Sequence, residues 1–166
     1  MSAVNKMENL TAAMMEYDAA DPKRIQHFLK VYELARTIGL LEGLDKKTQF
    51  ILESAALLHD IGIHKAQEKY GSCAGKYQEL EGPPEAAALL KRLDWPDEET
   101  QRICFLIGHH HTYTGIDGPD WQILVEADFL VNLYEDGESE ETIKNAYERI
   151  FKTENGRRLC RYMFGL

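Results

Sequence analysis

An all-α fold, a single helical bundle, is predicted by three observations. Apolar residues recur at helical spacing through several long segments. Helix-start signals, an Asp or Ser followed by Pro or acidic residues, stand at the head of most of them. No stretch shows the apolar–polar alternation of a strand, and no internal repeat or low-complexity tract interrupts the 166 residues. A chain of this length buries a substantial core without disulfide or metal staples. Residues 1–166 are therefore expected to form one domain, with a core over about 22–136 and C-terminal helices over 139–166 packed on it.

In chain order, Asp21-Pro22 reads as an N-cap and a proline at the first helical position, opening a helix that runs to Ile38 and stops at Gly39. Asp45 caps a second long helix through "KKTQFILESAALLHDI", ended by Gly62. Its second half is apolar on nearly every side, which predicts the most buried element. Residues 64–82, "HKAQEKYGSCAGKYQELEG", mix Gly, Ser, Lys and Tyr with little periodicity and read as a long loop, a candidate lid. Pro83-Pro84 opens a short helix through Leu93. Pro96 followed by Asp97, Glu98 and Glu99 opens another to about Ile107, since acids are favoured in a first turn. A Gly- and Asp-rich turn precedes the apolar helix "DWQILVEADFLVNLYE". Ser139 caps the next, through Phe151, and a final short helix starts near Gly156.

The formal net charge of −9 argues against a surface that coats nucleic acid, which needs clustered Lys and Arg. The densest basic run, "GRRLCR" with Arg157, Arg158 and Arg161, fits a solvated helix face. Cys73, Cys104 and Cys160 have neither disulfide-framework nor metal-type spacing, which fits a reducing cytoplasm. The N-terminus has acids among its apolar residues, unlike a signal peptide, and no apolar run approaches a membrane span.

Several polar residues stand where a core should continue. His27 shares a helical face with Val31, Leu34 and Ile38. His59 and Asp60 end the most apolar helix, and burying an ionised carboxylate costs several kcal/mol unless a cation or dense hydrogen bonding compensates. Asp128 repeats the anomaly among Leu124, Val125, Phe129, Leu130 and Val131, whereas Glu126 and Glu135 fit an exposed edge. Two imidazoles and two carboxylates on three apolar helices make an N2O2 set suited to one divalent ion, with Mn, Co, Ni, Fe, Zn and Mg not distinguished.

The ordered set His27, His59-Asp60, Asp128 in an all-helical chain resembles the HD-domain superfamily of metal-dependent phosphohydrolases, whose pattern is H…HD…D. "HDIG" at 59–62 is a common form of its central motif, and "RIQHFLKV" is similar to its first histidine helix. The resemblance implies that His27, His59, Asp60 and Asp128 ligate a metal. It also implies that metal-activated water hydrolyses a phosphoester or phosphoanhydride of a nucleotide or another small phosphorylated metabolite. "IGHHHTYTGIDG" resembles the His-His stretch of the branch with two or three metals, aligning His110 and His111, with His109 pointing elsewhere. That branch has a histidine before a proline in the intervening helix; here Gly82 precedes Pro83, and Glu81 is the nearest substitute. His64, His110 and His111 are thus candidates for a second metal. In the alternative they act on phosphate or the leaving group, with Asp60, His64 and His110 as catalytic candidates and His111 as a phosphate contact. Arg24, one turn before His27, and Lys65 and Lys69 are candidate phosphate-binding residues. Two other functions fit the same ligands: a di-iron HD-type oxygenase, and a non-catalytic metal- or nucleotide-binding regulator. Oligomeric state is left open by the sequence.

Overall fold

The computed structural model describes residues 3–166, with side chains from Lys6 onward. Among the described residues the regular structure is entirely α-helical: α1 (Ala3–Tyr17), α2 (Pro22–Leu41), α3 (Lys46–Leu58), α4 (Ile63–Tyr70), α5 (Gly75–Arg92), α6 (Asp97–Ile107), α7 (Pro119–Glu135), α8 (Glu140–Arg149) and α9 (Glu154–Phe164). No helix is long and apolar enough to cross a membrane.

The capping chemistry works as the sequence indicates. The Asp21 carboxylate accepts from the Arg24 amide ahead of Pro22, Asp45 accepts from Lys47 and Thr48, and Ser139 accepts from Thr142. Helix α3 is the centre of the bundle. Leu52, Ala55, Ala56, Leu57 and Leu58 are fully buried, because α2, α6, α7 and α1 pack around it. Helices α2 and α7 also pack closely on each other, so α2, α3 and α7 form a three-helix unit. The three segments that carried out-of-place polar residues are these three helices.

Five expectations are corrected. Residues 64–82 are not a loop: α4 and the first half of α5 occupy them, with only residues 71–74 breaking the run. Pro83 and Pro84 lie inside α5 rather than at its start. The first half of this helix escaped periodicity because its buried residues are Gln78, Glu81 and Gly82, while the buried apolar residues Ala86, Leu89 and Leu90 all lie after the prolines. It packs by close backbone approach: a β-carbon on Gly62 would sit 2.6 Å from the Gly82 amide nitrogen and 2.8 Å from the Gln78 carbonyl oxygen. Gly39 does not stop α2, which continues to Leu41. Its lack of a side chain instead leaves room for Gln49, whose Oε1 would lie 2.3 Å from a β-carbon there. Helix α3 ends at Leu58, one turn before Gly62, so His59 and Asp60 stand on the turn that follows. Finally, Glu126 and Glu135 are not at an exposed edge. Glu126 is fully buried and accepts from the amides of Lys152 and Thr153 at 2.6 and 2.9 Å, tying α7 to the start of α9. Helix α1, for which the sequence supplied no boundary, covers α3 through Met7, Leu10 and Met14.

Candidate metal centre

His27 lies on the buried face of α2, one turn before Val31, and its Nδ1–H donates to Glu135 Oε2 on α7 at 2.8 Å. His59 caps the C-terminal end of α3, where its Nδ1–H donates to the Ala56 carbonyl at 2.8 Å. With both Nδ1 atoms committed as donors, both Nε2 atoms turn to the same point, 3.2 Å apart. Asp128 reaches that point from α7, its Oδ1 3.2 Å from His27 Nε2 and 3.5 Å from His59 Nε2. Asp60 closes the set from the turn after α3, with Oδ2 3.6 Å from each Nε2. Asn132, one turn after Asp128 on α7, donates to Asp128 Oδ1 at 2.8 Å and fixes the carboxylate.

The donor set fits a cation. In neutral rings whose Nδ1 carries the proton, each Nε2 is a lone pair, so four acceptors converge with no hydrogen between them. His27, His59 and Asp60 each present one ligand atom within 4.8 Å of the others, and separations of 3.2–3.6 Å from each carboxylate oxygen to the two Nε2 atoms are compatible with ligands around an ion at roughly 2.0–2.2 Å. The carboxylates also draw positive charge to this point. Burial opposes charging His59, yet the Asp60 and Asp128 carboxylates overturn it and push the imidazole up to about 9. His27 is raised against its burial by Asp128 and Asp60. Asp128 is held well below the usual carboxylate range by His27 and His59 despite being buried.

A second group adjoins the first through Asp60. The His110 Nδ1–H donates to the Ile107 carbonyl at 2.7 Å, which aims Nε2 at Asp60 Oδ1, 3.5 Å away. The ring nitrogens Nε2 of His110 and His111 are both buried without a hydrogen-bond partner. Asp60, His110 and His111 each present one ligand atom within 4.8 Å of the others. Burial and the neighbouring His110 ring push His111 down to about 4, leaving its lone pair free for a Lewis acid or a donor. His109 points away, its Nδ1–H donating to the Phe105 carbonyl and its ring stacked on Phe105. Glu81 accepts from both Lys69 and Tyr70, at 2.8 and 2.7 Å, and takes no part in this group.

The centre forms the floor of a cavity of about 330 Å³ whose wall includes Lys23 and Arg24. Arg24 also pairs with Asp21 at 2.9 Å. The structure does not bring the α4 candidates to this wall. His64 pairs with Asp18 at 2.8 Å, Lys65 with Glu68 at 2.8 Å, and Lys69 with Glu81. Lys23, Gln78, Asn132 and Glu135 line the cavity without having been singled out in the sequence. For Asn132 and Glu135 a signal existed: four and seven residues after Asp128, they share its helical face.

The profile of the HD domain matches residues 24–153. No curated protein matches the chain. Among solved structures, a predicted HD superfamily hydrolase from an uncultured Thermotogales bacterium is similar at 24% identity and a TM-score of 0.65, covering 97% of this chain and 84% of that one. Bacillus subtilis YpgQ is similar at 16% identity and a TM-score of 0.71, covering 99% and 89%. Those two likenesses establish the fold, and the family match covers His27, His59, Asp60 and Asp128. The chain belongs to the HD-domain family.

Proposed function

We propose that the chain is a phosphohydrolase acting on a small phosphorylated compound as one catalytic domain, with His27, His59, Asp60 and Asp128 holding a divalent ion. The observation that carries this reading is the convergence of four acceptor atoms on the floor of a cavity walled by Lys23 and Arg24. A divalent ion supplies water of lowered pKa and polarises a phosphoryl oxygen. The protein supplies the rest. Lys23 and Arg24 receive the negative charge of the phosphate, Arg24 with a fork suited to two oxygens at once. Water gives up a proton to the solvent as its oxygen bonds to phosphorus, the bond from phosphorus to the leaving oxygen breaks, and that oxygen takes a proton. His110 is placed to give it: Nδ1 is locked on Ile107, so Nε2, facing Asp60, is the atom that exchanges a proton. Asp60 belongs to both groups, one oxygen toward His27 and His59 and the other toward His110. A second ion would use Asp60 with His110 and His111.

The test is phosphate release from a panel of nucleoside mono-, di- and triphosphates and sugar phosphates, with Mn, Co, Mg and Fe supplied separately. Turnover that requires one of these ions supports the reading. Bound iron with oxygen consumption and no phosphate release would instead assign the oxygenase, and bound metal without any turnover the regulator.

Glu135 provides a separate check. Its carboxylate orients His27 and is itself paired with Lys30 at 2.5 Å, so it acts on the metal through the imidazole. Glu135→Ala is expected to weaken metal binding about 10- to 100-fold, read by competition with a chelator. An unchanged affinity would show that His27 needs no such support.

A further inference from the structure

The cavity over the metal centre has a second arm. A depression of about 340 Å³ shares His111, Asp128, Asn132 and Asp136 with the first cavity and continues to Tyr113, Phe129, Leu133 and Ala146. The two arms differ in chemistry. The first contains the cations Lys23 and Arg24. There Lys23 and Arg24 stand among carboxylates, whereas the lining of the second arm holds Asp128, Asp136 and Glu138 with no Lys or Arg to balance a phosphate. Its wall is aromatic: the Tyr113 and Phe129 rings meet edge to face, with centroids 5.2 Å apart and planes at 73°. Tyr113 is 42% exposed, on the turn after His111, so its ring is open to a ligand rather than spent on the core.

The geometry points to the second arm as the specificity pocket of the site, in which Tyr113 and Phe129 hold a flat aromatic group attached to the phosphate undergoing hydrolysis. The occupant follows from continuity with the centre. A phosphoryl group over Asp60 and Asp128 has further negative charge directed to Lys23 and Arg24. The acid-lined aromatic arm then receives the uncharged end, with Asp136 and Glu138 as acceptors for its hydroxyl or amino groups. This inference rests on the phosphohydrolase reading for its orientation, but not for the existence of the pocket.

Two probes carry the same phosphoester and differ in the aromatic group: adenosine 5′-monophosphate and ribose 5-phosphate, each assayed with Mn supplied. The intact protein is expected to favour the nucleotide in kcat/KM by about tenfold or more, a preference that stacking on one aromatic side chain can supply. Tyr113→Ala, and independently Phe129→Leu, should cut that ratio at least about fivefold, mainly through KM of the nucleotide. Equal use of the two probes by the intact protein overturns the pocket and leaves the hydrolase standing, as does an unchanged ratio in both variants. If neither probe is hydrolysed with Mn, the wider panel of phosphates and metals decides the hydrolase reading, and calorimetry on the same pair decides the pocket by itself. Tighter binding of the nucleotide that is lost in Tyr113→Ala supports it; indistinguishable binding of the two probes overturns it.

Discussion

Asp60→Ala is expected to abolish metal binding and to lower hydrolysis at least about a thousandfold, a loss of roughly 4 kcal/mol of transition-state stabilisation. Among the described residues, Asp60 is the one that faces both groups of candidate ligand atoms, so its removal opens both. It stands on the turn after α3 with its side chain about one quarter exposed, and no packed core collapses when it is shortened. Helical content should therefore be retained by circular dichroism. Thermal unfolding separates loss of the ion from loss of the fold. A ligand bound only to the native state stabilises it by about 4 kcal/mol when present at a thousandfold its Kd, which raises Tm on the order of 10 °C for a chain of this size. The intact protein should show that rise on addition of the activating metal, and Asp60→Ala should show almost none. Full metal-dependent stabilisation of Asp60→Ala, or turnover within tenfold of the intact protein, would remove Asp60 from the ligand set. Asp60→Asn keeps the shape and discards the charge. It should resemble the alanine variant, because the carboxylate's charge is what balances the cation.

His27, His59 and Asp128 were legible in the sequence because each puts a polar group on a helical face that is otherwise apolar, and burial without a partner is costly. Helix α2, α3 and α7 boundaries were legible near their N-termini for a related reason: Asp21, Asp45 and the acidic start of α7 leave a local chemical mark. What orients the ligands was harder to see. Glu135 and Asn132 are half-buried in the last turns of α7, where an acid or amide is ordinary in a sequence, and only their spacing from Asp128 ties them to the site. His64, Lys65 and Lys69 were drawn in by proximity in sequence to His59-Asp60. Once α4 forms, their side chains are engaged by Asp18, Glu68 and Glu81. The pairing that makes the aromatic arm was not legible, since Tyr113 and Phe129 meet only when the turn after α6 is laid against α7.

The glycine of "HDIG" reads in the sequence as a helix stop, but in the fold it is a contact, and Gly62→Ala is expected to cost more than about 3 kcal/mol of stability. Gly62 has an ordinary right-handed backbone, φ −74° and ψ −10°, so alanine carries no conformational penalty there. The cost is steric. The atoms a β-carbon would meet are the Gly82 amide nitrogen at 2.6 Å, the Gln78 carbonyl oxygen at 2.8 Å and the Gly82 α-carbon at 2.8 Å. All are backbone of α5, and none can swing aside as the end of a side chain would. Helix α5 must move as a body, or the turn bearing His59 and Asp60 must. Gly43→Ala is the control, because Gly43 has φ +75° and nothing within 4 Å of its β-position. Its cost is conformational alone, about 1–2 kcal/mol. Urea unfolding should place Gly62→Ala well below Gly43→Ala in midpoint, and Gly62→Ala alone should also lose metal affinity. Equal midpoints would mean that α5 does not rest on the backbone of the motif, and that the third residue after His59 has no part in aiming Asp60.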